Sequence, residues 1–263
     1  MNVIKVMGGL GNQLFQYAFG VAQRENGILV KYETSFYDIS KKQKWPRSYI
    51  LNQFDTYVQS CSFISEFKTI RETKVGFDLN LLSIDQHNFD GYWQYLEYYT
   101  TILPILQKEL ILKSEFYTPA YIALRDVIEN SNSIAIHIRR GDYLVQTWGI
   151  LPVRYYFEAL STFGDLENKR YFIFSDDIEW CQSIFTEKYF DTMITFVDIE
   201  DYLSFELMRL CKYQIIASST FSWWAAFLNS NPDKIVVAPS KWLGGEKKAE
   251  IIYPKDWRII HVN

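Results

Sequence analysis

Three short polar runs in this chain each follow directly on an apolar stretch of strand character. Ile134 to Ile138 leads into Arg139-Arg140-Gly141-Asp142, Tyr171 to Phe174 into Ser175-Asp176-Asp177, and Gln214 to Ala217 into Ser218-Ser219-Thr220 at a helix start. Ligands of open α/β sheets bind beyond the carboxyl ends of the strands, which is where these runs would lie. Arg139 or Arg140 offers a guanidinium fork that grips phosphate oxygens at two points and stays charged at any relevant pH. Ser218, Ser219 and Thr220 add hydroxyl donors, free backbone N–H groups and the positive end of a helix dipole, all suited to an anion. Asp176 and Asp177 repel phosphate, but either can accept two hydrogen bonds from the N1 and N2 edge of guanine. The expectation is a phosphorylated-nucleotide site with its base end at the aspartates. Taken singly, Arg-Arg-Gly-Asp reads equally well as a solvated turn, Ser-Ser-Thr as an N-cap and His137 as a satisfied core histidine. Three such strand ends in one domain favour the ligand reading.

A fourth run, Gly8-Gly9-Leu10-Gly11-Asn12-Gln13-Leu14, follows a strand pattern, opens a helix pattern and precedes Glu33 after the next strand. Those are the outlines of a dinucleotide fingerprint. Leu14 breaks it, because the third small residue of that fingerprint lets helix and strand pack closely. Asn12 and Gln13 suit hydrogen bonds to sugar hydroxyls or a diphosphate better than a nicotinamide cofactor.

Composition narrows the partners. The 263 residues carry 27 basic and 31 acidic side chains, a net charge of -4, without the basic excess that nucleic acid demands. Cys61, Cys181 and Cys211 are odd in number and far apart, so neither a disulfide framework nor a zinc site is indicated, and a reducing cytoplasm fits. His87, His137 and His261 form no metal pair. No D-x-D triplet occurs; D-x-E triplets such as those at Asp177 and Asp198 read as solvated helix starts. No apolar run approaches a membrane span or a signal-peptide core, which predicts a soluble or at most peripheral protein.

The elements that would position these residues alternate as strand and helix, the mark of α/β layers. Strands at Val3 to Met7 and Ile28 to Tyr32 flank a turn at Gly8 to Gly11 and a helix at Gln13 to Arg24, making one βαβ unit. The stretch 38–88 is irregular, and Tyr95 to Leu112 reads as helical with Pro104 starting or kinking a helix. Beyond Ser133, strands at Ile134 to Ile138, Tyr171 to Phe174, Met193 to Val197, Gln214 to Ala217 and Lys234 to Ala238 alternate with helices at Arg154 to Phe163, Ile178 to Phe185, Tyr202 to Lys212 and Phe221 to Leu228. The polar stretch Glu129 to Ser133 suggests domains at 1–130 and 131–263.

Four of these segments together resemble the GDP-fucose-dependent α-1,2-fucosyltransferases of glycosyltransferase family 11: GGLGNQLFQYAFG (Gly8 to Gly20), HIRRGDY (His137 to Tyr143), FSDDIEWC (Phe174 to Cys181) and IIASSTFSWWAAFL (Ile215 to Leu228). Gly91-Tyr92-Trp93-Gln94 is similar to a further family segment. The resemblance implies a GT-B-like fold, two Rossmann-like domains facing across a cleft, with the acceptor side in residues 1–130 and GDP-fucose held by 131–263. It implies transfer of L-fucose, with inversion and without metal or other cofactor, to the 2-hydroxyl of a terminal β-galactose on an oligosaccharide or lipid-linked glycan. Such an acceptor would suit a cytoplasmic protein, peripheral at the inner face of the membrane. On this sequence the implied donor-binding residues are His137, Arg139, Arg140, Asp176, Asp177, Ser218, Ser219, Thr220, Phe221 and Ser222, with Gly9, Gly11, Asn12 and Gln13 from the first domain. Trp93 and Gln94 would bind acceptor. Arg139 would be catalytic through the β-phosphate, and Asp142 would either activate the acceptor hydroxyl or orient an arginine. Many relatives have asparagine at the position of Ser218 and aspartate at that of Ser204, which leaves the role of Asp201 open. A nucleotide-sugar-binding module without turnover would share the donor site, and a surface carbohydrate-binding protein would use the 17% aromatic content but leave the motifs unexplained.

Overall fold

In the computed structural model, residues 1–42, 44–72, 76–145, 150–164, 166–186, 193–242, 247–248 and 251–262 are described. The chain forms two α/β units, Met1–Lys113 and Ser114–Asn263. The division falls one helix earlier than the expected 130/131. Helix α4 (Pro119–Glu129) accounts for the difference, because it packs on the C-terminal unit's own helix α7 (Asp201–Leu210). Thr118 caps α4 by accepting from the Tyr121 N–H, and Pro119 stands in its first turn, where the missing N–H costs nothing.

The N-terminal unit holds a parallel sheet of β1 (Asn2–Lys5), β2 (Val30–Glu33), β3 (Lys68–Arg71) and β4 (His87–Asp90), in the order β2-β1-β4-β3. Helix α1 (Leu10–Glu25) crosses from β1 to β2 and begins at Leu10, so the expected four-residue turn shrinks to Gly8 and Gly9. Gly8 has φ +82°, a conformation glycine takes freely, and an added Cβ would meet Asn12 Nδ2 at 2.7 Å. Strands β3 and β4 and the short helix α2 (Phe36–Ser40) lie in the stretch that looked irregular in sequence. The segment expected as one helix from Tyr95 is two 3-10 turns followed by α3 (Leu103–Glu109), with Pro104 in its first turn.

The C-terminal sheet has six parallel strands: β5 (Asn132–Ile138), β6 (Lys169–Ser175), β7 (Ile194–Val197), β8 (Tyr213–Ile215), β9 (Ile235–Pro239) and β12 (Arg258–Ile260). Lys241–Trp242 and Lys247–Lys248 pair separately as β10 and β11. Helices α5 (Val153–Ser161), α6 (Ile178–Ile184), α7 and α8 (Thr220–Leu228) connect the main strands. The order β12-β9-β8-β5-β6-β7 is that of a doubly wound dinucleotide fold: from central β5 the chain winds one way to β7, then returns through β8 to wind the other. Strand β5 is flanked on both edges and buried on both faces, which explains its continuous apolar run. Winding reverses between β5 and β8, so the crevice for a ligand opens at their carboxyl ends.

Candidate active site

Strand β5 ends in His137, Ile138 and then Arg139, and the two arginines that follow turn to different partners. The Arg139 guanidinium is held by Asp142 through Nη2 and by Asp176 Oδ2 through Nη1, the latter at 2.7 Å, and lies 5.4 Å from the centre of the Tyr143 ring. Arg140 donates its backbone N–H to Asp176 Oδ1 at 2.8 Å and its Nε–H to Asp177 Oδ2 at 2.9 Å, while its guanidinium sits 3.8 Å from the centre of the Trp180 ring. Asp177 also caps α6 by accepting from the Trp180 N–H. Gly141 fits because a Cβ there would collide with the Asp176 carboxylate. The strand ends of β5 and β6 are thus tied together by Asp176, which both arginines share, and by Asp177, which holds Arg140.

Asp142 is only 6% exposed, and its carboxylate is committed to Arg139. A buried carboxylate in a charge-assisted hydrogen bond to a guanidinium is a strong orienter, and that bond occupies an oxygen that a base would need. Of the two roles the sequence left open for Asp142, this geometry suits orientation.

The other side of the crevice is the start of α8. Ser219 occupies the N-cap with extended backbone and makes no side-chain capping bond, so the first N–H groups of the helix lack a capping acceptor from that side chain. Tyr143 ties the two sides, its hydroxyl donating to the Ser218 carbonyl at 3.0 Å while its ring underlies Arg139. Phe221 lies 5.5 Å from His137, ring centre to ring centre, and 5.5 Å from Phe205. Burial, with the Arg139 charge adding to it, pushes the His137 pKa down to about 3, so its imidazole is neutral. Its Nδ1 is buried without a hydrogen-bond partner among the described residues.

Two of the expected hydroxyls are otherwise engaged. Ser218 donates to the Lys241 carbonyl at 2.6 Å, and Ser222 is fully buried, its hydroxyl 3.4 to 3.5 Å from the Ser219 and Ala217 carbonyls. Ser222 therefore serves the helix interior instead of lining the crevice, which leaves Ser219 and Thr220 as the donors of this run.

The N-terminal motif divides in the same manner. Gly9 is the N-cap of α1, with nothing within 4 Å of where a Cβ would stand, and Gly11 is buried in the first turn. Gln13 is fully buried and wholly spent on the backbone: Nε2 donates to the Gly8 and Ser48 carbonyls, and Oε1 accepts from the Ile50 N–H. Trp93 is 3% exposed and stacks on Phe19 with ring centres 4.7 Å apart and 12° between planes. Gln13 is thus engaged with the backbone and Trp93 with the aromatic core, while the buried Trp93 Nε1 has no hydrogen-bond partner among the described residues. The reason is shared: side chains at the start of α1 and after β4 point into the unit's own core. Asn12 and Gln94 are joined, Gln94 Nε2 donating to Asn12 Oδ1 at 3.2 Å, while the buried Gln94 Oε1 has no partner among the described residues.

Sequence reasoning missed Tyr143 and Trp180, which support the two arginines through ring faces. Both stand inside the motif segments, and the signal available was an aromatic residue near each arginine or its partner carboxylate.

A sequence profile for Glycosyl transferase family 11 matches residues 1–261. The chain belongs to that family. Among curated relatives, the O-antigen biosynthesis glycosyltransferase WbnK of Escherichia coli is 30% identical, over 93% of this chain and 95% of WbnK. An α-1,2-colitosyltransferase of Escherichia coli is 31% identical over 93% of both chains. The galactoside 2-α-L-fucosyltransferase Sec1 of mouse is 26% identical over 98% of this chain and 73% of its own. The solved fucosyltransferase NodZ from Bradyrhizobium shares the GT-B fold, with a TM-score of 0.55 at 13% identity over 86% of this chain and 91% of NodZ. Family 11 membership makes this chain a glycosyltransferase, and its crevice the place to seek the donor.

Proposed function

We propose that the chain transfers L-fucose from GDP-β-L-fucose to the 2-hydroxyl of a terminal β-galactose, with inversion, to give an α-1,2 linkage. The observation that carries this reading is the Arg139 guanidinium, fixed by two carboxylates at the switch point of a doubly wound sheet and joined through Tyr143 to the uncapped start of α8. As the sugar–phosphate bond breaks, the departing diphosphate gains charge and the sugar becomes oxocarbenium-like. A preorganised cationic fork beside a helix N-terminus stabilises that charge without needing a metal ion. The α-1,2 outcome and the galactose acceptor rest on the relatives' names and the motif resemblance. Asn12 and Gln94, with an unpartnered Oε1, suit a sugar hydroxyl. Asp142 is assigned as a positioning residue for Arg139; the acceptor proton leaves to another carboxylate or to water.

Because one relative is a colitosyltransferase, colitosyl is the second donor to compare. The test is transfer from GDP-fucose to a β-galactoside in excess chelator, read by mass gain and linkage analysis. Fucose on the 2-hydroxyl is the expected product. Loss of transfer to an otherwise identical 2-deoxygalactose acceptor should follow. Retained transfer there refutes the regiochemistry, activity that returns only with added manganese or magnesium refutes metal independence, and strong preference for a colitosyl donor refutes the sugar assignment.

A further inference from the structure

One segment of the N-terminal unit concentrates basic side chains. Residues 38–47 read Asp-Ile-Ser-Lys-Lys-Gln-Lys-Trp-Pro-Arg, four basic side chains against one acidic in a chain whose net charge is -4. The Ser40 hydroxyl accepts from the Arg47 N–H at 2.8 Å and closes the segment into a loop. Lys41, Lys42 and Lys44 are exposed, and Lys41 pairs only weakly with the equally exposed Asp38, at 3.9 Å. On either side of the lysines stand two apolar side chains in solvent, Ile39 at the end of α2 at 65% and Trp45 at 42% exposure, with the Lys44 ammonium 5.3 Å from the centre of a Trp45 ring.

We propose that this loop is a docking surface for an anionic lipid bilayer, with Lys41, Lys42 and Lys44 at the headgroups and Trp45 and Ile39 entering the interface. Lysines flanked by a tryptophan and an aliphatic side chain match that boundary on both counts, since it supplies negative charge and takes up amphipathic rings. A nucleic acid would satisfy the lysines and could stack on Trp45, but it would leave the aliphatic Ile39 in water. Each lysine near such a surface strengthens attachment about fivefold, so three amount to on the order of 10²-fold.

The loop is strapped to the N-terminal motif at both roots. The Tyr37 hydroxyl donates to the Gly8 carbonyl at 3.2 Å, and Gln13 bonds the Ser48 carbonyl at 2.8 Å and the Ile50 N–H at 2.9 Å. A docked loop would therefore hold the Gly8 to Gln13 turn near the bilayer surface, where a lipid-linked glycan presents its sugars. That use rests on the transferase reading above; the docking itself does not, and its test requires no turnover.

Co-sedimentation of the full chain would be measured with vesicles of phosphatidylcholine alone and of phosphatidylcholine with phosphatidylglycerol. Binding is expected only to the anionic vesicles, and it should weaken at high salt, where the Debye length contracts to about 3 Å. Lys41→Glu/Lys42→Glu/Lys44→Glu should lose on the order of 10²-fold or more in partitioning, and Trp45→Ser should lose a smaller part, both with unchanged melting temperature. Should the triple variant lose stability, Trp45→Ser and the salt dependence still decide. The proposal is overturned if the wild-type chain ignores anionic vesicles, if it binds neutral ones equally, if either folded variant binds like wild type, or if dextran sulfate is bound as tightly as the vesicles.

Discussion

Replacing Arg139 by lysine keeps the positive charge at the end of β5 and removes only the fork, which makes it the sharpest test of the crevice. A guanidinium carries five N–H donors. In this structure one is spent on Asp142 and one on Asp176, leaving three that can face a diphosphate. A lysine ammonium has three donors in all, so keeping both carboxylates satisfied leaves one for the donor substrate, and the bidentate grip is lost. Removing a preorganised donor to a developing oxyanion costs about 2.7–4 kcal/mol in the transition state. At about 1.4 kcal/mol per decade, kcat/KM for GDP-fucose should fall by about 10²- to 10³-fold. The larger share should appear in kcat, because the contact strengthens as the diphosphate gains charge. The assay is steady-state transfer with the donor varied at saturating acceptor, beside a thermal melt to confirm that the buried Asp142 still has an adequate partner. A folded Arg139→Lys enzyme within about threefold of wild-type kcat/KM would refute the argument, because neither the fork nor its preorganisation would then matter.

Three further outcomes follow from the same geometry. Asp142→Asn converts a charge-assisted bond on Arg139 into a neutral one, a difference of about 1–1.5 kcal/mol, so kcat/KM should fall by about 5- to 15-fold; a kcat loss above about 10²-fold with GDP affinity unchanged would restore the general-base role. His137, held neutral with a pKa near 3 against about 6.5 when unfolded, favours protonation of the unfolded state between those values. Its contribution to stability is full above about pH 6.5 and is lost as pH falls toward 3, at up to about 1.4 kcal/mol per pH unit; His137→Gln should flatten urea-unfolding stability over that window, and an unchanged slope would refute the assignment. Trp93→Ala should cost about 3–5 kcal/mol of stability by removing the partner stacked on Phe19, whereas normal stability with a raised acceptor KM would return Trp93 to the acceptor site.

Much of this protein was legible in its sequence because the relevant patterns are local. The apolar runs of β5, β6 and β8 announced strands, the polar residues after them announced their carboxyl ends, and the helices between showed their own periodicity. Thr118-Pro119, a capping residue before a helix-starting proline, was equally local and would have placed α4. What no local pattern carries is which partner a polar side chain finds across the fold. Arg139 and Arg140 are adjacent and chemically identical, yet one turns to Asp142, Asp176 and Tyr143 and the other to Asp177 and Trp180, because alternate positions at a strand end face opposite ways. Gln13 and Trp93 carry the side chains of a sugar site but lie where α1 and the turn after β4 face the core, so burial commits them to packing and backbone bonds. The residue types of the crevice are thus a property of the sequence. Which of them remain free to meet a ligand was decided only when the parallel strands closed around β5 and buried groups such as Gln13 took backbone partners, while His137 Nδ1 and Gln94 Oε1 were left without one among the described residues.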